Sequence, residues 1–153
     1  MSRRARTVSG PAWSRLGIGR LGIGKDAEGL RVSYQLIIEE RPTYVYARAD
    51  GDLTPANALK FLEDAHAACV KYGRTSVLLD MQLHGPNLPT TSIYDVISQR
   101  AADGSKLRKI AYVPYKGGDP SMASFAETVA INRGVNVRIF ESVAAAAGWL
   151  TEP

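Results

Sequence analysis

Three aspartates that follow predicted strands are the side chains best suited to chemistry. Asp50 and Asp52 end one predicted strand, and Asp80 ends the next. In parallel α/β folds, the carboxyl ends of strands surround the usual ligand crevice. Carboxylates there could bind a cation or exchange protons with a substrate. We therefore predict a ligand crevice formed by Asp52, Asp80, His84 and Tyr94. The alternative is that these aspartates are ordinary turn and loop residues.

A cluster of hydroxyl side chains begins the helix predicted after the loop 81–89. Thr90, Thr91 and Ser92 stand in its first turn. A phosphate there would meet free backbone N–H groups and the positive end of the helix dipole. We predict these residues as phospho-acceptors or as a docking point. The alternative is plain helix capping, since Ser92 with Asp95 matches a capping box.

The histidines and the single cysteine form no recognisable catalytic or metal motif. Neither His66 nor His84 has a second His, Cys or acidic residue at metal-ligand spacing. His66 and Cys69 lie three residues apart on one predicted helix, with Cys69 on its apolar side, where a thiol is inert. We therefore expect no catalytic residue, no metal and no cofactor, with His66 at the edge of the core.

The first 25 residues carry six basic side chains and no acidic one, so the positive net charge of +4 belongs to this end of the chain. Residues 15–19 and 20–24 are a tandem repeat rich in glycine. Residues 17–22 match a dinucleotide pattern, but they lack the strand and helix that such a site requires. We predict a flexible basic Gly/Arg-rich tail over residues 1–30. An organelle transit peptide and a segment that contacts nucleic acid or anionic lipid are the alternatives.

Residues 31–153 read as one α/β domain. Two strands joined by a short turn form an antiparallel hairpin, and helices then alternate with strands, which indicates a mixed, mostly parallel five-stranded sheet with four helices. The order is β-β-α-β-α-β-α-β-α. The predicted strands are 32–40, 43–49, 75–80, 108–113 and 136–140. The predicted helices are 55–72, 90–104, 120–133 and 143–150.

Several local features within this order resemble the SpoIIAA-like group, the STAS-type domains of anti-sigma-factor antagonists. They are the turn at 51–55, the strand end at 77–80, the helix end at 132–134, and the strand 137–140 followed by an Ala-rich helix with Trp149 and Leu150.

This resemblance implies a STAS-like fold and a regulatory role. In the regulatory members, a kinase phosphorylates a Ser at the start of the helix that follows the Asp-ended strand. The matching positions here are Asp80 and the segment Thr90, Thr91 and Ser92. The Asp-Ser-Ser-Gly motif of the family is missing, and the loop is longer.

The leading functional hypothesis is a non-enzymatic, cytoplasmic protein-interaction module, acting as a phosphorylation-responsive partner switch with an unidentified protein partner. Tyr34, Tyr44 and Tyr46 are predicted either as core or as a homodimer face. The first alternative is a carrier of a small apolar ligand or lipid, with the loop 81–89 as its lid. The second is a small enzyme that uses Asp52 or Asp80. We expect no membrane span and no specific nucleic-acid partner.

Overall fold

A mixed sheet of six strands forms the centre of the protein. The computed structural model describes residues 4–9 and 33–153. The strands are β1 (Arg4–Ser9), β2 (Tyr34–Glu40), β3 (Val45–Asp52), β4 (Ser76–His84), β5 (Lys109–Val113) and β6 (Val137–Ile139). They lie side by side in chain order. β1, β2 and β3 pair antiparallel, whereas β3 to β6 are parallel, as the sequence predicts for the hairpin and the three later strands.

The strand β1 lies within residues 1–30, the segment for which the sequence predicts a flexible basic tail. Its backbone pairs antiparallel with β2, from Arg4 opposite Glu40 to Ser9 opposite Gln35. The unpaired edge of β2 offers backbone donors and acceptors that an added strand can satisfy. The rest of the predicted tail, with the glycine repeat at 15–24, lies outside the described residues.

Four helices follow β3, β4, β5 and β6 respectively: α1 (Pro55–Tyr72), α2 (Thr90–Gly104), α3 (Pro120–Asn132) and α4 (Val143–Leu150). The Thr54 side chain caps α1 by accepting from the Asn57 N–H, and Gly73 ends α1 in the left-handed conformation at φ 66°. The capping box predicted at Ser92 is wrong, because Pro89 is the N-cap of α2 and no side chain caps it.

The helices cover the two faces of the sheet unequally. α1, α2 and α3 contribute to the larger core on one face, with Phe61 and Cys69 fully buried. On the other face, α4 packs against Leu78 and Ala111. Lys109 holds the C-terminal end of α4 against the sheet, because its ammonium group donates to the carbonyls of Trp149 (2.7 Å) and Glu152 (3.1 Å). Tyr34 and Tyr44 are buried, so both belong to the core.

β4 is longer than predicted and continues through residues 81–84, which the sequence indicates as loop. These residues pair with Ala49–Asp52 of β3, and Leu53 N–H donates to the His84 carbonyl at 2.9 Å. Asp80 therefore lies in the middle of β4, not at its end.

Candidate functional site

An apolar cavity of about 150 Å³ lies between the sheet and the helices α1, α2 and α3. Its lining is almost wholly aliphatic and comes from these helices and from β4, β5 and β6. Leu62, Leu79, Ile93 and Val96 are representative of its walls. Such a lining favours apolar molecules, since burial of apolar surface is the main source of binding energy there.

Alanines at inward-facing positions of the helices leave this space open. Ala58 and Ala65 on α1, Ala101 on α2, and Ala126 and Ala130 on α3 all line the cavity. A methyl side chain fills little of the gap between a helix and a sheet, whereas Leu or Ile at the same positions would reach across it. The small side chains at these positions of α1, α2 and α3 thus account for the cavity.

Tyr112 on β5 is the polar group of greatest interest in the cavity wall. Its hydroxyl makes no hydrogen bond to the part of the chain that the structure describes, and burial raises the pKa of Tyr112 to about 12. At neutral pH the side chain is therefore a neutral phenol with a free O–H donor. By contrast, the Glu127 carboxylate, which also lines the cavity, accepts from the Ile139 N–H at 3.3 Å.

A small ionic group borders the cavity along the C-terminal half of α2. Asp103 lies 3.2 Å from the Arg100 guanidinium and 3.9 Å from the His66 ring, measured between the nearest N and O atoms. His66 is half-buried at the edge of the core, as the sequence predicts. Arg100 and Asp103 form an ion pair, while the Nε atom of Arg100 is buried without a hydrogen-bond partner among the described residues.

A second space, a crevice of about 340 Å³, lies at the carboxyl ends of β4 and β5. The His84 ring stacks on Tyr115 with ring centroids 4.9 Å apart and an angle of 21° between planes. The Asn87 amide donates to Asp119 at 3.3 Å. Asp119 also accepts from the Ser121 N–H and hydroxyl at the start of α3, and these hydrogen bonds lower the pKa of Asp119.

The cavity and the crevice share one wall, made of Leu53, Met81, Tyr112 and Met122. Methionine is unbranched and adopts many rotamers, so two of the four side chains can move without disturbing the backbone. These four side chains therefore separate the crevice from the apolar cavity.

The four residues predicted to form one crevice do not meet. Asp52 and His84 are register partners at the ends of β3 and β4, and His84 lines the crevice. Asp80 lies four residues back along β4, roughly 13 Å away at the usual strand rise. Tyr94 is an exposed residue of α2, where its hydroxyl accepts from Arg133 at 2.5 Å.

Asp80 belongs to a polar network on the sheet face opposite the cavity. Its buried carboxylate accepts from the Tyr46 hydroxyl (2.6 Å) and from the Gln82 amide (2.8 Å). Burial, and then the hydrogen bond to Asp80, raises the pKa of Tyr46. The carboxylate also lies 3.9 Å from the Arg48 guanidinium, and Asp80 lines neither the cavity nor the crevice.

The predicted phospho-acceptors lie where the sequence places them, in the first turn of α2. Thr90 and Thr91 are exposed, and Ser92 is half-buried. Because Pro89 provides no side-chain cap, the first N–H groups of α2 meet no capping side chain. Phosphorylation at these positions stays a prediction.

The sequence led to an apolar-ligand carrier as an alternative function, but it did not locate the cavity or single out Tyr112. The alanines that create the cavity are visible in the sequence, but they indicate equally well a tightly packed helix. Tyr112 shares its face of β5 with the apolar Ile110, which indicates that it faces inward without revealing that its hydroxyl lacks a partner.

Across residues 4–9 and 33–153, no three His, Cys, Asp or Glu side chains lie close enough together to hold a metal ion. In the same ranges, no helix has the length and apolarity needed to cross a bilayer. No protein-family model, no curated protein and no solved structure matches the chain.

Proposed function

We propose that this protein binds a small apolar molecule in the cavity between the sheet and α1, α2 and α3. The cavity itself carries the proposal. An engineered cavity of about the same volume, lined by aliphatic and aromatic side chains in another protein, stays dry and binds benzene. The space here, about 150 Å³, therefore suits a single six-membered ring or a short branched hydrocarbon.

The energetic cost of an empty cavity supports this function. Native interiors contain few voids larger than a water molecule. A cavity of about 150 Å³ deprives its lining side chains of packing partners, and this lowers the stability of the fold. A ligand that fills the cavity recovers much of this loss.

Benzene is the simplest probe of this proposal. We expect benzene to bind the full chain and to raise its unfolding temperature, because a ligand at ten times its Kd adds about 1.4 kcal/mol to the stability of the folded state. Ala65→Leu places three further carbons in the cavity and should abolish both effects. Ala67→Leu is the matched control, since Ala67 is an exposed residue of the same helix.

Calorimetric titration and thermal unfolding of the three proteins give the answer. Binding to the wild type and to Ala67→Leu, with loss in Ala65→Leu, supports the proposal. Absence of benzene binding to the wild type, or equal binding to all three proteins, contradicts it.

A STAS-like partner switch is the second candidate function. The element order after β1 supports it, as does the position of Thr90 and Thr91, which are exposed in an uncapped first turn of α2. Phosphopeptide mapping of residues 81–105 in protein purified from its host tests this function. Phosphate on Thr90, Thr91 or Ser92, with a partner that binds one form only, would support it. An unmodified segment under all growth conditions would contradict it.

A further inference from the structure

Tyr112 holds a position that no other polar side chain of the cavity holds. It is one of the four residues in the wall between the apolar cavity and the crevice. Its ring therefore borders both the apolar cavity and the more polar crevice. A molecule bound in the cavity with one polar atom at this wall would keep its apolar part dry.

The hydroxyl of Tyr112 has a hydrogen bond left to make. Tyr112 is partly buried in this wall, so a molecule in the cavity can reach its hydroxyl, and a neutral phenol O–H is a hydrogen-bond donor. In the described part of the chain, no side chain or backbone group accepts from Tyr112. The nearby Glu127 and Asp119 carboxylates are already bonded to other groups.

From this geometry we propose that the ligand is a small ring compound with one neutral oxygen, of the phenol or cyclic ketone class, and that Tyr112 donates a hydrogen bond to that oxygen. The inference rests on the proposed function and specifies, in addition, the polar group of the ligand. The ring fills the cavity, and the oxygen lies at the wall made by Leu53, Met81, Tyr112 and Met122.

Benzene and phenol form the probe pair, because they differ by the single oxygen. The affinities of both are measured by calorimetry for the wild type and for Tyr112→Phe, which keeps the ring and removes only the hydroxyl. Tyr44→Phe is the control, since Tyr44 is a buried tyrosine on the opposite face of the sheet. Thermal unfolding of each variant verifies that it is folded.

We expect Tyr112→Phe to weaken phenol binding by about threefold to tenfold, the net contribution of one hydrogen bond, while benzene binding stays unchanged. Tyr44→Phe should change neither affinity. If benzene binds and Tyr112→Phe leaves the ratio of the two affinities unchanged, the inference is overturned and the proposed function stands. If the wild type binds neither compound, both are overturned.

Discussion

Asn57 joins three segments next to the carboxyl end of β3, and its replacement by Ala should destabilise the fold. The side chain is almost completely buried. It accepts from the Ser33 N–H at 2.8 Å and donates to the carbonyls of Ser33 (3.1 Å) and Asp52 (2.9 Å). One amide thus joins the start of β2, the end of β3 and the first turn of α1.

The expected loss follows from these three hydrogen bonds. At about 1 kcal/mol net for each bond, the sum is about 3 kcal/mol. Ser33 and Asp52 are exposed, so their freed backbone groups regain water, and Ala favours the helix slightly more than Asn. We therefore expect Asn57→Ala to lower the free energy of unfolding by about 2 kcal/mol. Benzene affinity should fall as well, because the neighbouring Ala58 and Leu53 line the cavity.

Urea unfolding at equilibrium measures this change as a shift of the midpoint at constant slope. Asn87→Ala is the matched control, because Asn87 is exposed and makes one long hydrogen bond, so its loss should stay within about 0.5 kcal/mol. If Asn57→Ala costs no more than Asn87→Ala, the amide does not hold these segments together and the reasoning fails.

Three further predictions test other parts of the structure. Burial raises the pKa of Cys69 to about 12, so iodoacetamide at pH 8 should modify the folded protein at least about a hundredfold more slowly than the unfolded chain; equal rates would contradict the buried position. Asp80→Ala leaves Tyr46 and Gln82 without their acceptor and should cost about 1–3 kcal/mol in urea unfolding, more than Tyr46→Phe; the reverse order would refute the network. The lowered pKa of Asp119 means that its charged form stabilises the fold above about pH 4, and that this contribution is lost as the pH falls through the folded-state pKa. Thermal unfolding between pH 2 and 6 should therefore depend less on pH in Asp119→Asn than in the wild type, and identical profiles would exclude this role for the cap.

The helices were predictable because their ends carry local signals. Thr54 and Pro55 start α1 and Asp119 with Pro120 starts α3, and each cap acts through the backbone next to it. The same local reasoning placed α2 correctly but assigned it the wrong cap. Ser92 is a residue type that often caps helices, whereas the N-cap of α2 is Pro89, three residues earlier.

The extension of β4 and the cavity depend on contacts between distant segments. Met81 and Leu83 alternate with Gln82 and His84, but four residues before Gly85-Pro86 are too few to distinguish a strand from a loop. Residues 81–84 form a strand because they pair with the end of β3. The cavity depends on how closely three helices approach the sheet, a distance that no local pattern of alanines determines. For the same reason Tyr112 could be placed on a strand, but its missing partner could not be foreseen.

The order of the strands has a consequence for the way the chain folds. Each strand pairs with the one that comes just before it along the chain, and none is inserted between two earlier strands. Such a sheet can grow by the addition of strands at one edge. Each addition brings together two strands that are separated along the chain only by the connection between them. During synthesis, each strand from β2 to β6 therefore emerges after a strand with which it pairs. The helix α4, on the second face of the sheet, is the last element to emerge and pack.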